Sequence, residues 1–283
     1  MTKKVAILGP GNIGCDLLCK CLKEEEIEVV MFAGRNYNSK GLRLASSLGV
    51  PITDRSIDAI TKLKNKPDII VDATSALYHK YHYEVAKKNK ILIIDMTPAN
   101  YGISCCPAIN LTECIKEDNI NMISCGGQSS IPICYAIKAS NTDLDYIEVV
   151  STISSASAGL ATRRNISNYI NTTENAIMNL TGIKNVKVII NISPAIPPIR
   201  MKTSIFVETQ QIINYQETIA NIKLMSDKTR EYVKGLKNII ILKSFGEKTL
   251  SQIEIIGSGD YFEEYAGNLE IINCAALKVI KNL

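Results

Sequence analysis

Tryptophan is absent, histidine occurs only twice, and aromatic residues make up just 6% of the chain. Two histidines, with no Cys-x-x-Cys pair among the nine cysteines, leave no zinc-type ligand spacing. No run approaches the ~20 apolar residues of a membrane span. Charge of one sign is also missing, because Lys+Arg 32 against Asp+Glu 28 leaves +4. So weak a balance argues against nucleic acid and against a membrane surface as partners. Met1-Thr2-Lys3-Lys4 leads into only four apolar residues before Gly9, too few for an export signal. The cysteines are odd in number and scattered, and 283 residues can bury a core without staples. They therefore read as reduced thiols of a cytoplasmic chain.

What is present is a change of pattern along the chain. Apolar runs at 5–8, 28–32, 68–71, 91–95 and 119–124 alternate with helical periodicity at 13–22, 39–48, 78–89 and 132–139. Short strands interleaved with helices predict an α/β fold, a doubly wound parallel sheet with helices on both faces. Beyond about residue 144 the strands lengthen: 145–153, 186–192, 204–208, 238–243 and 252–256, with helices at 167–180 and 218–234. That pattern predicts a second, α+β domain with a mostly antiparallel sheet. The closing helix, 269–280, is expected to pack back on the first domain. The division expected is 1–129 with 262–283 as the dinucleotide-binding (Rossmann-type) domain, and 130–261 as a catalytic and dimerisation domain.

Gly9-Pro10-Gly11-Asn12-Ile13-Gly14 is a G-x-G-x-x-G motif between a strand and a helix, the setting in which it binds a dinucleotide. Gly9 permits the tight turn, Gly11 lets the backbone approach a pyrophosphate, and Gly14 lets helix and strand lie close. The second strand ends Phe32-Ala33-Gly34-Arg35-Asn36, with no carboxylate for a ribose 2′-hydroxyl. Arg35 suits a 2′-phosphate, so NAD and NADP both stay open. Eight cysteines sit where a small apolar filler fits. Cys125 differs, since it ends an apolar strand and precedes Gly126-Gly127-Gln128. With Ser129 or Ser130 as cap and Pro132 in the first turn, a helix would start just after it. A thiol there is a candidate nucleophile, and the two glycines would admit substrate and leave N–H groups for an oxyanion. His79 and His82, three apart on a helix, read as a solvated face.

At these residues the chain resembles the acylating acetaldehyde dehydrogenases. The resemblance is carried by the glycine loop, by Asp72-Ala73-Thr74-Ser75 and by Asp95-Met96-Thr97-Pro98-Ala99. It continues in Asn121-Met122-Ile123-Ser124-Cys125-Gly126-Gly127-Gln128, Ser157-Ala158-Gly159 and Tyr265-Ala266-Gly267-Asn268-Leu269-Glu270-Ile271. The fold it implies is semialdehyde-dehydrogenase-like, and the reaction takes aldehyde, CoA and NAD(P) to acyl-CoA and NAD(P)H through a thioester. Carried over, Cys125 is the nucleophile. The cofactor residues are Gly9, Gly11, Asn12, Ile13, Gly14, Arg35, Thr74, Ser75, Ser157, Ala158, Gly159, Leu160, Ala161, Thr162, Arg163, Arg164, Asn165 and Asn268. The resemblance also implies a homodimer and a hydroxy-oxo-acid aldolase partner.

The chain departs from that family at three places. Thr203 stands where members carry a carboxylate after the paired prolines. Leu160-Ala161 replaces a Pro-Gly, and the stretch between about 210 and 258 is shorter. Without the carboxylate, the helix dipole and a cation, Arg163 or Arg200, are expected to hold the Cys125 pKa below the ~8.5 of a free thiol. A phosphate-dependent semialdehyde dehydrogenase and a non-catalytic NAD(P)-binding scaffold are the alternatives.

Overall fold

The computed structural model describes residues 2–283. Its first half is β1 (Lys3–Leu8), α1 (Asn12–Cys21), β2 (Ile27–Ala33), α2 (Lys40–Ser47), β3 (Ile52–Thr53), α3 (Ser56–Ile60), β4 (Ile69–Asp72), α4 (Ala76–Lys88), β5 (Leu92–Asp95), β6 (Ile103–Ser104), α5 (Pro107–Cys114), β7 (Asn119–Asn121) and α6 (Cys125–Ser140). The seven strands form one parallel sheet in the order β3-β2-β1-β4-β5-β7-β6. Val5 to Leu8, Ile69 to Asp72 and Ile93 to Asp95 are buried, as strands covered on both faces must be. The chain winds outward in both directions from the β1–β4 pair. A crevice therefore opens at the carboxyl ends of those two strands, the topological switch point where doubly wound sheets take ligands.

The second half is β8 (Tyr146–Ser154), α7 (Leu160–Arg164), α8 (Ile166–Thr181), β9 (Asn185–Ser193), β10 (Met201–Glu208), α9 (Tyr215–Arg230), β11 (Leu236–Phe245), β12 (Lys248–Ile255) and α10 (Gly267–Asn282). Its five strands run β11-β12-β10-β8-β9, antiparallel except for the β8–β9 pair. Alternation of buried with more exposed residues along β8, β10 and β12, broken only at the end of β8, shows one covered face. Helix α6 packs against β10 between α8 and α9. α10 returns to α1, where the Asn273 amide donates to the Ile13 carbonyl at 3.1 Å and to Asp16 at 2.7 Å.

Most long elements lie within a few residues of the sequence expectation, and the two-residue strands β3 and β6 are too short to leave a pattern. One difference matters. α6 begins at Cys125, not after Ser129 or Ser130. Its cap is Ser124, whose Oγ accepts the Gly127 N–H at 2.9 Å. Pro132 lies inside the helix.

Candidate active site

Gly9 has φ +116°, open to glycine at little cost, and a β-carbon there would lie 2.5 Å from the Ala73 carbonyl oxygen. A β-carbon at Gly14 would lie 2.0 Å from the Gly9 carbonyl oxygen. These two glycines serve the chain itself. Gly11 is different, because nothing lies within 4 Å of where its β-carbon would be. As N-cap of α1 it offers no side-chain cap, and the first turn carries no acid. The free N–H groups of that turn thus face open space at the positive end of the helix, which suits a pyrophosphate.

The crevice holds two adjoining cavities that share Gly11, Ala73, Thr74, Ser75 and Ala161. One, of about 380 Å³, runs from Gly9 past Gly34 and Arg35 to Tyr78, Tyr81 and His82. The Arg35 guanidinium stacks over the Tyr78 ring, 5.1 Å from its centroid. The other, of about 270 Å³, is lined by Asn12, Ile13, Ser157, Gly159, Leu160, Thr162, Asn165 and Asn268 and reaches Cys125. Asn12 donates to the Ser157 carbonyl at 3.2 Å, and Ser157 Oγ donates to Asn268 Oδ1 at 2.6 Å. Three distant segments are thereby tied together at one wall. Four of the expected cofactor residues do not line either cavity. Gly14 is a packing position, and Ala158 is buried beside Ser157. Arg163 is folded back, donating to Ser155 Oγ at 2.8 Å and to the Ser155 carbonyl at 3.0 Å. Arg164 is exposed.

Cys125 is 8% exposed and, among the described residues, the one cysteine that lines this cavity. The chain reaches it by a sharp turn. Ile123 has φ +65°, a strained conformation for a β-branched residue. Gln128 holds the turn by donating to the Met122 carbonyl at 2.9 Å and to the Cys105 carbonyl at 2.7 Å. The following glycines make room inside the protein rather than for substrate. A β-carbon at Gly126 would lie 2.1 Å from Tyr169 Oη, and one at Gly127 would lie 2.6 Å from Ile123 Cγ2. With the Gly127 N–H spent on Ser124, the amides of Cys125 and Gly126 are the backbone donors left at the sulfur.

The electrostatics correct the expectation of a low thiol pKa. Burial pushes the Cys125 thiol up, and the Tyr169 hydroxyl and those two amides only partly offset it. Arg163 is turned to Ser155 and Arg200 pairs with Glu264 at 2.6 Å, and among the described residues no charged group contributes to the balance at the sulfur. Other buried thiols are also raised, Cys15 to about 11 and Cys106 to about 12, both by burial first. All nine cysteines are free.

The histidines are not a solvated face. His79 and His82 are 0% and 5% exposed, and both Nδ1 atoms donate to Asp72 Oδ2, at 2.9 Å and 2.8 Å. His79 Nε2 faces Asn119 Oδ1 at 3.3 Å, with that amide oriented by its own bond to the Tyr101 carbonyl. Acceptors at both ring nitrogens require the imidazolium. Burial would lower the His79 pKa, but Asp72 and Asp95 outweigh it and raise it. Asp72, Asp95 and His79 bring three ligand-type atoms within 4.8 Å of one another, and these are already taken up in the ion pair. Asp72 Oδ1 accepts from the Thr74 N–H and hydroxyl, which fixes the cavity loop from below.

Two cavity residues escape a sequence reading. Tyr169 approaches Cys125 from α8, 44 positions away. Thr97 Oγ1 is buried without a protein partner on the cavity wall.

The profile described as "Prokaryotic acetaldehyde dehydrogenase, dimerisation" matches residues 125–263, and that described as "Shikimate / quinate 5-dehydrogenase" matches residues 1–100. An acetaldehyde dehydrogenase from Pectobacterium atrosepticum is 44% identical over 98% of this chain and 94% of its own length. One from Burkholderia pseudomallei is 43% identical over 98% and 93%, and one from Spirochaeta aurantia 41% over 97% and 92%. Aspartate semialdehyde dehydrogenase II from Vibrio cholerae superposes with a TM-score of 0.66, covering 100% of this chain and 99% of that one at 12% identity. That last likeness is one of fold.

Proposed function

The chain belongs to the acetaldehyde dehydrogenase family and is an aldehyde-acting oxidoreductase; from that premise we propose that it converts a small aldehyde, CoA and NAD(P) into acyl-CoA and NAD(P)H through a thioester on Cys125. One observation carries the proposal: a single cavity has the uncapped start of α1 on one wall and the Cys125 thiol on another. The open space at Gly11 fits a dinucleotide, whose nicotinamide would take up a hydride when bound.

The chain's own part follows from the geometry. The Cys125 sulfur adds to the aldehyde carbon, and its proton ends on the former carbonyl oxygen. The amide N–H groups of Cys125 and Gly126 are the donors at hand for that oxygen while it is charged. Loss of hydride from carbon and a proton from oxygen leaves the thioester. The thiol of CoA then adds to the acyl carbon, and the Cys125 sulfur leaves and regains a proton. Met96, Pro98, Ile123, Leu269 and Ile272 give the cavity an apolar wall that keeps water from the thioester and suits a small apolar acyl group. The absence of a carboxylate after β2 and the position of Arg35 in the outer cavity leave room for NADP beside NAD. Pairing of two copies is part of the same proposal, with the face of the second sheet that carries Val150, Phe206 and Leu250 as its contact.

The deciding assay mixes acetaldehyde or propionaldehyde with NAD or NADP, and with CoA or inorganic phosphate, and follows reduced-cofactor absorbance. CoA-dependent reduction that disappears in Cys125→Ala, by ~10³-fold or more in kcat/KM, is the expected result. Phosphate-dependent reduction would move the chain to the semialdehyde class, and full turnover in Cys125→Ala would end the thioester reading.

A further inference from the structure

Hydrogen bookkeeping around the thiol leads beyond that reaction. Tyr169 Oη lies 3.6 Å from Cys125 Sγ and is, among the described residues, the one side-chain polar atom within hydrogen-bonding reach of it. The tyrosine is 5% exposed. The hydroxyls of Ser124 and Ser151 flank it. Each of those hydroxyls has one proton, and its use is fixed further along. Ser129 donates to the Gly126 carbonyl at 2.9 Å, so its oxygen accepts from Thr203 at 2.8 Å. Thr203 in turn accepts from Ser151 at 3.2 Å. The β8–β10 register sets Ser151 directly opposite Thr203 on the covered face of the sheet, which is why α6 can close this chain. On the other side Thr173 donates to the Tyr169 carbonyl at 2.6 Å and accepts from Ser124 at 2.7 Å.

Both serines have therefore given their protons away, and towards Tyr169 they can only accept. Neither serine has a proton left for the tyrosine hydroxyl, and the thiol is, among the described residues, the one donor for its lone pairs. Among the described residues no charged side chain joins this network: Arg163 is turned to Ser155, and Arg200 pairs with Glu264. The phenol itself is held well above its ordinary pKa by burial, so it stays protonated and does not act as a base.

We propose, resting on the assignment of Cys125 as nucleophile, that Tyr169 is its positioning residue: it accepts from the resting thiol and turns its own proton onto the sulfur when the sulfur becomes anionic. The hydroxyl proton swings onto the sulfur, and no bond to oxygen is broken. A neutral hydroxyl thus favours the thiolate in a pocket that offers it no cation.

The test is the rate of iodoacetamide alkylation of Cys125 against pH, read on its own peptide by mass spectrometry. No aldehyde or CoA is present, so failure of the proposed reaction and failure of this inference are told apart. Tyr169→Phe keeps the ring and is expected to raise the thiol pKa by about one unit or more, slowing alkylation about ten-fold near neutral pH. Ser151→Ala deletes a competing acceptor, and should lower that pKa or leave it unmoved. An unmoved pKa in Tyr169→Phe overturns the proposal. So does an equal rise in Ser151→Ala, which would mark disturbed packing. A reading on the unaltered protein backs these up: the S–H stretching band lost in Cys125→Ala should lie below that of a thiol without an acceptor, and coincidence with the latter counts against Tyr169.

Discussion

Of the helices that start at the cavity, α1 and α6 start in opposite ways. α1 begins on Gly11 with no side-chain cap and open space beside it. α6 begins on Ser124, which caps it from within, and its first residue is the buried Cys125. Both ends carry the positive pole of a helix dipole. The first is left free for an anion from outside, as phosphate binding requires. The second has consumed one of its N–H groups on the cap and keeps the two nearest the sulfur. A helix start is therefore a ligand site or a support for a side chain according to what its first turn has already satisfied, and the dipole alone decides neither. The raised Cys125 thiol makes the point, since burial outweighs the favourable helix end.

The glycines of the first helix offer the largest test of that contrast. Gly14→Ala drives a methyl to 2.0 Å from the Gly9 carbonyl oxygen, against backbone that cannot yield cheaply. Overpacking of this kind should destabilise by about 3 kcal/mol or more in denaturant unfolding. A β-carbon at Gly11 meets no protein atom within 4 Å, so Gly11→Val should cost no more than the ~1 kcal/mol of a poor N-cap residue while dinucleotide KM rises ten-fold or more. Equal stability losses in the two variants would erase the distinction between a glycine kept for the chain and one kept for the ligand.

The ion pair beneath the cavity loop gives a middle-sized effect with a definite sign. His79, raised by the carboxylates of Asp72 and Asp95 against the pull of burial, contributes stability that is complete below its unfolded pKa of ~6.5. That contribution is lost as pH rises through the higher folded value. Asp95 acts in the same direction but at lower pH, because burial pushes its carboxyl up to about 7 and its contribution is lost between the ordinary carboxylate range and that value. Asp72 is held below the usual carboxylate range by the two histidines against its burial, and its contribution disappears only on acidification through that lowered value. Thermal unfolding should therefore show Tm falling by a few degrees as pH rises above about 6.5, the unfolded value of His79. His79→Gln should lower Tm and flatten the slope. A Tm that rises over the same window would mean that His79 is buried neutral.

Ser124→Ala is the smallest of these changes. It removes the cap of α6 and should cost about 1 kcal/mol in unfolding free energy. It also frees the Gly127 N–H, so that the two helix starts become more alike. If sulfate or phosphate then protected Cys125 from alkylation, as it should not in the unaltered protein, the difference between the helices would reduce to that one hydroxyl.

The sequence alone determined what is local. Strand, glycine turn and helix at residues 5–22 are contiguous, so spacing and periodicity carry the whole unit, and the lengthened strands after residue 144 announce the second sheet. Cys125 stood out for the same reason, as a thiol between an apolar run and two glycines. Its surroundings did not, apart from Thr203, which the family resemblance singled out. Tyr169, Ser151 and Thr203 lie 26 to 78 positions further along the chain, on a helix and two strands that meet behind α6. The histidines show the limit most plainly. A three-residue spacing put both on one side of α4, but whether that side faced water or the carboxylates ending β4 and β5 depended on how the helix lay on the sheet. Periodicity reports which residues share a face. What that face meets, and hence whether a thiol is raised or lowered and a histidine charged or neutral, is set by groups distant in sequence that only packing brings within a few ångströms.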